Sequence, residues 1–122
     1  MQNFMDLRVW QEAMTLTEMI YQITKMYPKV EMYGLISQTQ RAAVSVPSNI
    51  AEGNGRASRK EFLRFLSIAN GSLAELKTLL IIAERIAYIQ PEDSKPILEQ
   101  VNTVGRMMTA LRKSLREKRN MI

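Results

Sequence analysis

The side chains of this chain that could do chemistry are its glutamates, two serines beside a proline, and its clustered cations. Glu12, Glu18, Glu52, Glu61, Glu75 and Glu84 could offer carboxylates to a metal inside a helical bundle. Di-iron bundles, however, pair glutamates with histidines three residues on, and the chain has no histidine. The commonest general base and the commonest metal ligand are therefore missing together. Glu52, Glu75 and Glu84 fall near inward-looking positions, where pairing with Arg41, Arg85 or backbone groups is expected. Ser45 and Ser48 have no histidine or lysine partner to activate them. With no cysteine either, thiolate chemistry and disulfides are excluded. No catalytic residue, metal or cofactor is expected, and an enzyme is not.

The cations are more informative. The net charge is +5, and residues 1–105 hold 11 basic and 11 acidic side chains, which cancel. The excess comes from Arg106, Arg112, Lys113, Arg116, Lys118 and Arg119 against Glu117 alone. A second group, Arg56, Arg59, Lys60 and Arg64, stands where the third helix is expected to begin.

These groups must be positioned by helices. Hydrophobic residues make up 46% of the 122 residues and aromatics 7%, with nine methionines. That balance suits one aliphatic helical bundle, with methionine filling gaps. A first helix is expected from about Asp6, its N-cap, to Lys25, with Val9, Ala13, Leu16, Ile20 and Ile23 on one face. The second runs from near Glu31 to Gly53. The third opens on a capping box, Ser58 to Glu61, and runs to about Tyr88. The fourth follows Pro91 and continues to about Lys118, with the basic tail from about residue 116. Phe62, Leu66, Ala69, Leu73, Leu76, Leu80, Ala83 and Ala87 form a heptad stripe on helix three. Ile97, Val101, Val104, Met108, Leu111 and Leu115 form another on helix four. Such spacing with short connections predicts an all-α, up-down-up-down, left-handed antiparallel four-helix bundle.

Two features stand outside that frame. Pro47 lies in the middle of the apolar pattern Ala42, Ala43, Val46, Ile50, where its missing N–H and its ring clash predict a kink. Around it, Ser45, Ser48, Asn49 and Glu52 could satisfy the freed carbonyl of Ala43, pack between helices, or contact a partner. Helix three also carries a second stripe, Phe65, Ile68, Leu79, Ile82 and Ile86. It either widens the buried face or forms a seam against a neighbouring subunit.

The segments LRVWQEAM (Leu7–Met14), YPKVEMYGL (Tyr27–Leu35), QRAAVSVPSNIAEGNGR (Gln40–Arg56) and EFLRFLSIANGSLAEL (Glu61–Leu76) resemble the small four-helix-bundle proteins encoded in intervening sequences of bacterial 23S ribosomal RNA genes. The sequence departs from that pattern at Gln40, often a second arginine, and at Ala87, commonly glycine. The resemblance implies an up-down-up-down bundle, a ring-like homopentamer and no enzymatic activity. The accessory variability proteins of diversity-generating retroelements are similar in fold and assembly; they are basic and associate with nucleic acid and a reverse transcriptase.

In an antiparallel bundle the two cation groups should meet at one pole. That pole, Arg56, Arg59, Lys60, Arg64, Arg112, Lys113, Arg116, Lys118 and Arg119, could bind RNA or DNA backbone, with affinity that falls with salt. A five-subunit ring would carry about +25. Few aromatics accompany these charges, so base stacking is not expected. The alternative is an oligomeric scaffold for a protein partner without nucleic-acid affinity. No continuous apolar run reaches the ~18 residues of a membrane span, and a cytoplasmic protein is expected.

Overall fold

The computed structural model describes residues 3–120, with residues 118–120 as backbone only. Four helices carry the apolar stripes: α1 (Arg8–Ile23), α2 (Leu35–Asn54), α3 (Arg59–Arg85) and α4 (Pro91–Asn120). Consecutive helices pack on one another, α1 closes the square against α4, and the diagonals do not approach among the described residues. Contacts climb one helix as they descend the next. On α2 and α3, Gln38 meets Glu75 and Ser45 meets Ser72. On α3 and α4, Lys77 meets Asn102 and Ser67 meets Arg112. The bundle is therefore antiparallel throughout.

The core consists of the predicted faces. Val9, Ala13, Leu16 and Ile20 of α1 meet Ala43, Val46 and Ile50 of α2, Leu66, Leu73, Leu76 and Leu80 of α3, and Val101, Val104 and Met108 of α4. Burying each of the larger side chains contributes roughly 1.5–3 kcal/mol. Leu111 and Leu115 are only partly buried, as the α4 stripe runs out toward the end of the bundle.

Local hydrogen bonding moves several helix ends from their expected places. Asp6 does not cap α1. Asn3 accepts a bond from the Met5 N–H at 2.9 Å and starts a one-turn 3-10 helix, Phe4–Asp6, which leaves Leu7 at the α1 cap position with no side-chain bond. α2 starts at Leu35 rather than near Glu31, because Lys29–Glu31 form their own 3-10 turn. Glu31 then caps α2 from outside, its Oε1 accepting from the Leu35 N–H at 3.0 Å. Gly34 leaves room for this, since a Cβ there would stand 2.7 Å from that oxygen. Ser58 caps α3 as expected, accepting from the Glu61 N–H at 3.1 Å. The Glu61 carboxylate does not complete the box; it takes the Arg64 Nε–H at 3.1 Å instead.

α3 stops at Arg85, short of Tyr88. Ala87 adopts φ 66°, a left-handed conformation. The Tyr88 N–H reaches back to the Ala83 carbonyl at 2.9 Å and the Ala87 N–H to Glu84 at 3.0 Å. This is a Schellman ending with alanine where glycine is usual. It also aims Tyr88, whose hydroxyl donates to Glu31 Oε2 at 2.7 Å and so joins the end of α3 to the start of α2.

Pro47 is buried inside α2, which is helical on both sides of it. The Ala43 carbonyl, deprived of its usual donor, accepts from Thr17 Oγ1 on α1 at 3.3 Å, and the same hydroxyl bonds Ala13 at 2.9 Å. The polar groups nearest the proline do other work. Ser45 and Ser72 share a bond of 2.8 Å across α2–α3, and Asn49 donates to Ser45. Glu52 pairs with Arg56 at 3.0 Å, while Ser48 is exposed. Beyond them Gly53 lets α2 lie close against α3: a Cβ would stand 2.7 Å from the Phe65 Cβ.

The second stripe of α3 divides. Phe65 and Leu79 are buried within the bundle, whereas Ile68, Ile82 and Ile86 are exposed, as is Ile81. α3 is consequently apolar on more than its core side. It is long and apolar enough by composition to cross a membrane, although no run in it is continuous, and less than half of that stretch is buried.

Candidate nucleic-acid interface

The turn between α2 and α3, the first turns of α3 and the last turns of α4 share one pole, and the two cation groups meet there. Arg112 Nη2 donates to Ser67 on α3 at 3.3 Å. Lys60, Arg64, Ser67 and Arg116 line a cavity of ≈ 340 Å³ between the two helices. Two of the expected cations are engaged locally. Arg56 pairs with Glu52 and Arg64 with Glu61, and both guanidinium groups lie over the buried Phe65 ring, 4.9 and 4.6 Å from its centroid. Exposed ion pairs of this kind contribute about 0–1 kcal/mol. Their effect here is to fix the guanidinium planes against the ring. The Arg64 hydrogen bond holds the Glu61 carboxyl below its ordinary range and raises Arg64 in turn. Arg59, Lys60, Lys113 and Arg116 are exposed and have no ion pair among the described residues. The side chains of Lys118 and Arg119 lie outside the described residues.

Arg112 differs from the others. Its Nε–H is buried and has no hydrogen-bond partner among the described residues. An unsatisfied buried donor costs about 1–3 kcal/mol, a cost that an acceptor can recover only if Arg112 swings away from Ser67. Among the described aromatic side chains near the pole, Phe4, Trp10 and Phe62 are partly buried. Phe65 is covered, and Phe4 and Trp10 stack edge-on against each other at 5.3 Å. The pole thus presents mainly cationic side chains.

The carboxylates do not gather. Glu75 accepts from Gln38 at 3.5 Å and Glu84 from Ser94 at 2.6 Å. Arg41 donates to Ser37 at 2.9 Å rather than to a glutamate. The expected pairings with Arg41 and Arg85 are replaced by neutral partners for Glu75 and Glu84 and by Arg56 for Glu52. Among the described residues no group of three His, Cys, Asp or Glu side chains could hold a metal ion. The opposite pole is closed by the Tyr88–Glu31 bond. The Leu35 N–H, and after it the Tyr88 hydroxyl, hold the Glu31 carboxyl low, while Glu31 raises Tyr88. Burial pushes the neighbouring Tyr27 up to about 12.

Three residues that matter to these arrangements escaped the sequence reading. Thr17 and Ser67 are ordinary helix-surface hydroxyls until the pairing of α1 with α2 and of α3 with α4 is known. Lys77, on the α4 side of α3, donates to Asn102 at 3.4 Å.

Comparison with known proteins agrees with this architecture. A crystal structure described as a protein of unknown function from the S23 ribosomal protein family of Bacteroides thetaiotaomicron superposes with a TM-score of 0.79 at 22% identity, covering 86% of this chain and 98% of that one. That likeness shows the fold. No curated protein matches the chain. The sequence pattern of the 23S rRNA-intervening sequence proteins matches residues 5–110, nearly the whole of the bundle. The chain belongs to the 23S rRNA-intervening sequence protein family.

Proposed function

We propose that the protein is a non-enzymatic, oligomeric four-helix bundle that binds the backbone of RNA or DNA through its basic pole. The observation that carries this reading is the meeting of cations from α3 and α4 around Ser67, with the Arg112 Nη2 bond at 3.3 Å and Lys60, Arg64 and Arg116 about one cavity. Phosphate neutralisation of this kind gives affinity that falls steeply with salt and depends little on sequence. Titrating unrelated RNA and DNA across a salt series tests it. Neutralising Arg112, Lys113, Arg116, Lys118 and Arg119 together should abolish binding. No binding at low salt, or binding indifferent to that variant, refutes the reading.

A second reading, an oligomeric scaffold for a protein partner, draws on a different observation. Ile68, Ile82 and Ile86 leave an apolar strip of α3 in solvent, the kind of surface that marks association. Light scattering that returns a monomer at working concentration removes this reading and the oligomer from the first.

A further inference from the structure

Adjacent helices leave four furrows on the bundle, and their charges differ sharply. The α1–α2 furrow, along Trp10, Met14, Val44 and Pro47, is lined by no charged side chain. The cavity in the α2–α3 furrow has one of each sign, Arg41 and Glu75. Along α1–α4, Glu18 lines the cavity beside Met19, Ile23 and Met26, and Glu12 meets Gln100. The α3–α4 furrow holds two cavities, of ≈ 560 and ≈ 340 Å³. Lys77 and Arg106 line the upper one, and Lys60, Arg64 and Arg116 the lower. The sole carboxylate lining either is Glu61, and Arg64 already holds it. Arg112 crosses to Ser67 between the cavities and keeps its buried Nε–H unsatisfied.

We infer that the α3–α4 furrow is a track for one strand of nucleic acid, which enters at the basic pole and continues past Arg112 to Lys77. This rests on the nucleic-acid reading and extends it in two ways: to residues away from the pole, and to a single strand. Three arguments favour such an occupant. The cations recur along the furrow rather than in one cluster, as the phosphates of a strand do. Asn70, Asn102 and Thr109 stand among them and can exchange hydrogen bonds with sugar and base edges. The furrow is the long surface groove over two packed helices, a shape that a single extended strand can follow along its length. Between Asn102 and Arg116, α4 rises about 21 Å at ~1.5 Å per residue. That length takes a short run of nucleotides, fewer than the same length of stacked duplex would hold. Neither Ile68 nor Ile82 lines the furrow, so association through that strip would leave it open.

The test uses fluorescent oligouridylates of about two to twelve nucleotides, a duplex of the same charge, and polyglutamate, on the full chain and on a Lys77→Gln, Arg106→Gln variant with unchanged helix content. For single strands each lost phosphate contact removes about 0.7 from the slope of log affinity against log salt. The double variant should therefore bind more weakly, with a slope about 1.4 shallower. Affinity for the full chain should rise with length and level off once the strand spans the furrow, within the two-to-twelve-nucleotide series. A variant that binds with wild-type affinity and slope confines binding to the pole and overturns the track while the pole reading stands. Preference for the duplex overturns it as well. If the full chain binds neither RNA nor DNA at low salt, both readings fail together. Capture of polyglutamate through Lys77 and Arg106 in that case assigns the furrow to an acidic protein segment.

Discussion

Replacing Ala87 with glycine should stabilise the protein, which is unusual for an alanine-to-glycine change beside a helix. Ala87 sits at φ 66°, where the Cβ of an L-residue crowds the following carbonyl at a cost of about 1–2 kcal/mol. Glycine has no such cost, but it loses more conformational freedom on folding, and about 0.4–1 kcal/mol of the gain is returned to the unfolded chain. The net expectation for Ala87→Gly is a gain of about 0.5–1 kcal/mol. With unfolding entropy of about 2.1 cal/mol/K per residue, a 122-residue chain should melt about 2–4 °C higher. The backbone bonds from Tyr88 to Ala83 and from Ala87 to Glu84 do not involve the side chain and are retained, as is the Tyr88–Glu31 bond. Thermal unfolding followed by circular dichroism, at matched protein concentration because association would shift the midpoint, measures the change. Ala110→Gly, at an exposed position within α4, supplies the control: there glycine should cost about 1 kcal/mol and lower the midpoint by about 4 °C. Opposite signs for two chemically identical substitutions are the signature. A fall in melting temperature for Ala87→Gly comparable to the control refutes the left-handed ending of α3.

Two further outcomes follow from the hydrogen bonds at and between the helices. Thr17→Val keeps the shape of the side chain and removes the donor to the Ala43 carbonyl; a loss of about 1–3 kcal/mol is expected in urea unfolding, with the m value unchanged, and a neutral result would mean that Ala43 finds another donor. Glu31 gives a pH dependence. Its carboxyl lies lower in the folded chain than the ordinary 4.5, so its ionised contribution is complete above that value and disappears as pH falls through the lower folded one. Glu31→Gln should therefore melt below wild type near neutrality and converge with it in acid. A gap that persists or widens at low pH contradicts the assignment.

How much could be read in advance differed with the scale of the interaction. The core was legible, because Val9, Ala13, Leu16 and Ile20 on α1 and Ile97, Val101, Val104 and Met108 on α4 announce their faces by spacing alone. Helix ends were less so. Asn3, Glu31 and Ala87 each moved a boundary through a bond to backbone two to four residues away, and such bonds compete with helix propensity at a level too fine for a hydrophobic pattern. The convergence of cations at one pole follows from connectivity, since consecutive antiparallel helices return to the same end. The α3–α4 furrow does not, because Lys77 and Arg106 come together only through the register of two helices. Ile68 and Leu79 looked equivalent on the sequence, yet one is in solvent and the other inside. The breadth of the face covered by α2 decides between them, and periodicity carries no information on that breadth.

The bond between Thr17 and Ala43 also bears on how the bundle avoids misassembly. Heptad seams are forgiving: sliding α1 along α2 by two turns would again lay aliphatic side chains on aliphatic side chains, with little to separate the alternatives. Pro47 removes that degeneracy. It leaves one carbonyl in α2 without its own helix donor, and Thr17 meets it in a single alignment. Any slipped pairing would keep the oily contacts and strand a polar oxygen away from water. A residue that weakens its own helix thus acts as the notch of a ratchet, converting a smooth interface into one with a preferred position. It also predicts where the bundle should tolerate core changes of similar volume and where it should not: freely along α4, least at the crossing of α1 with α2.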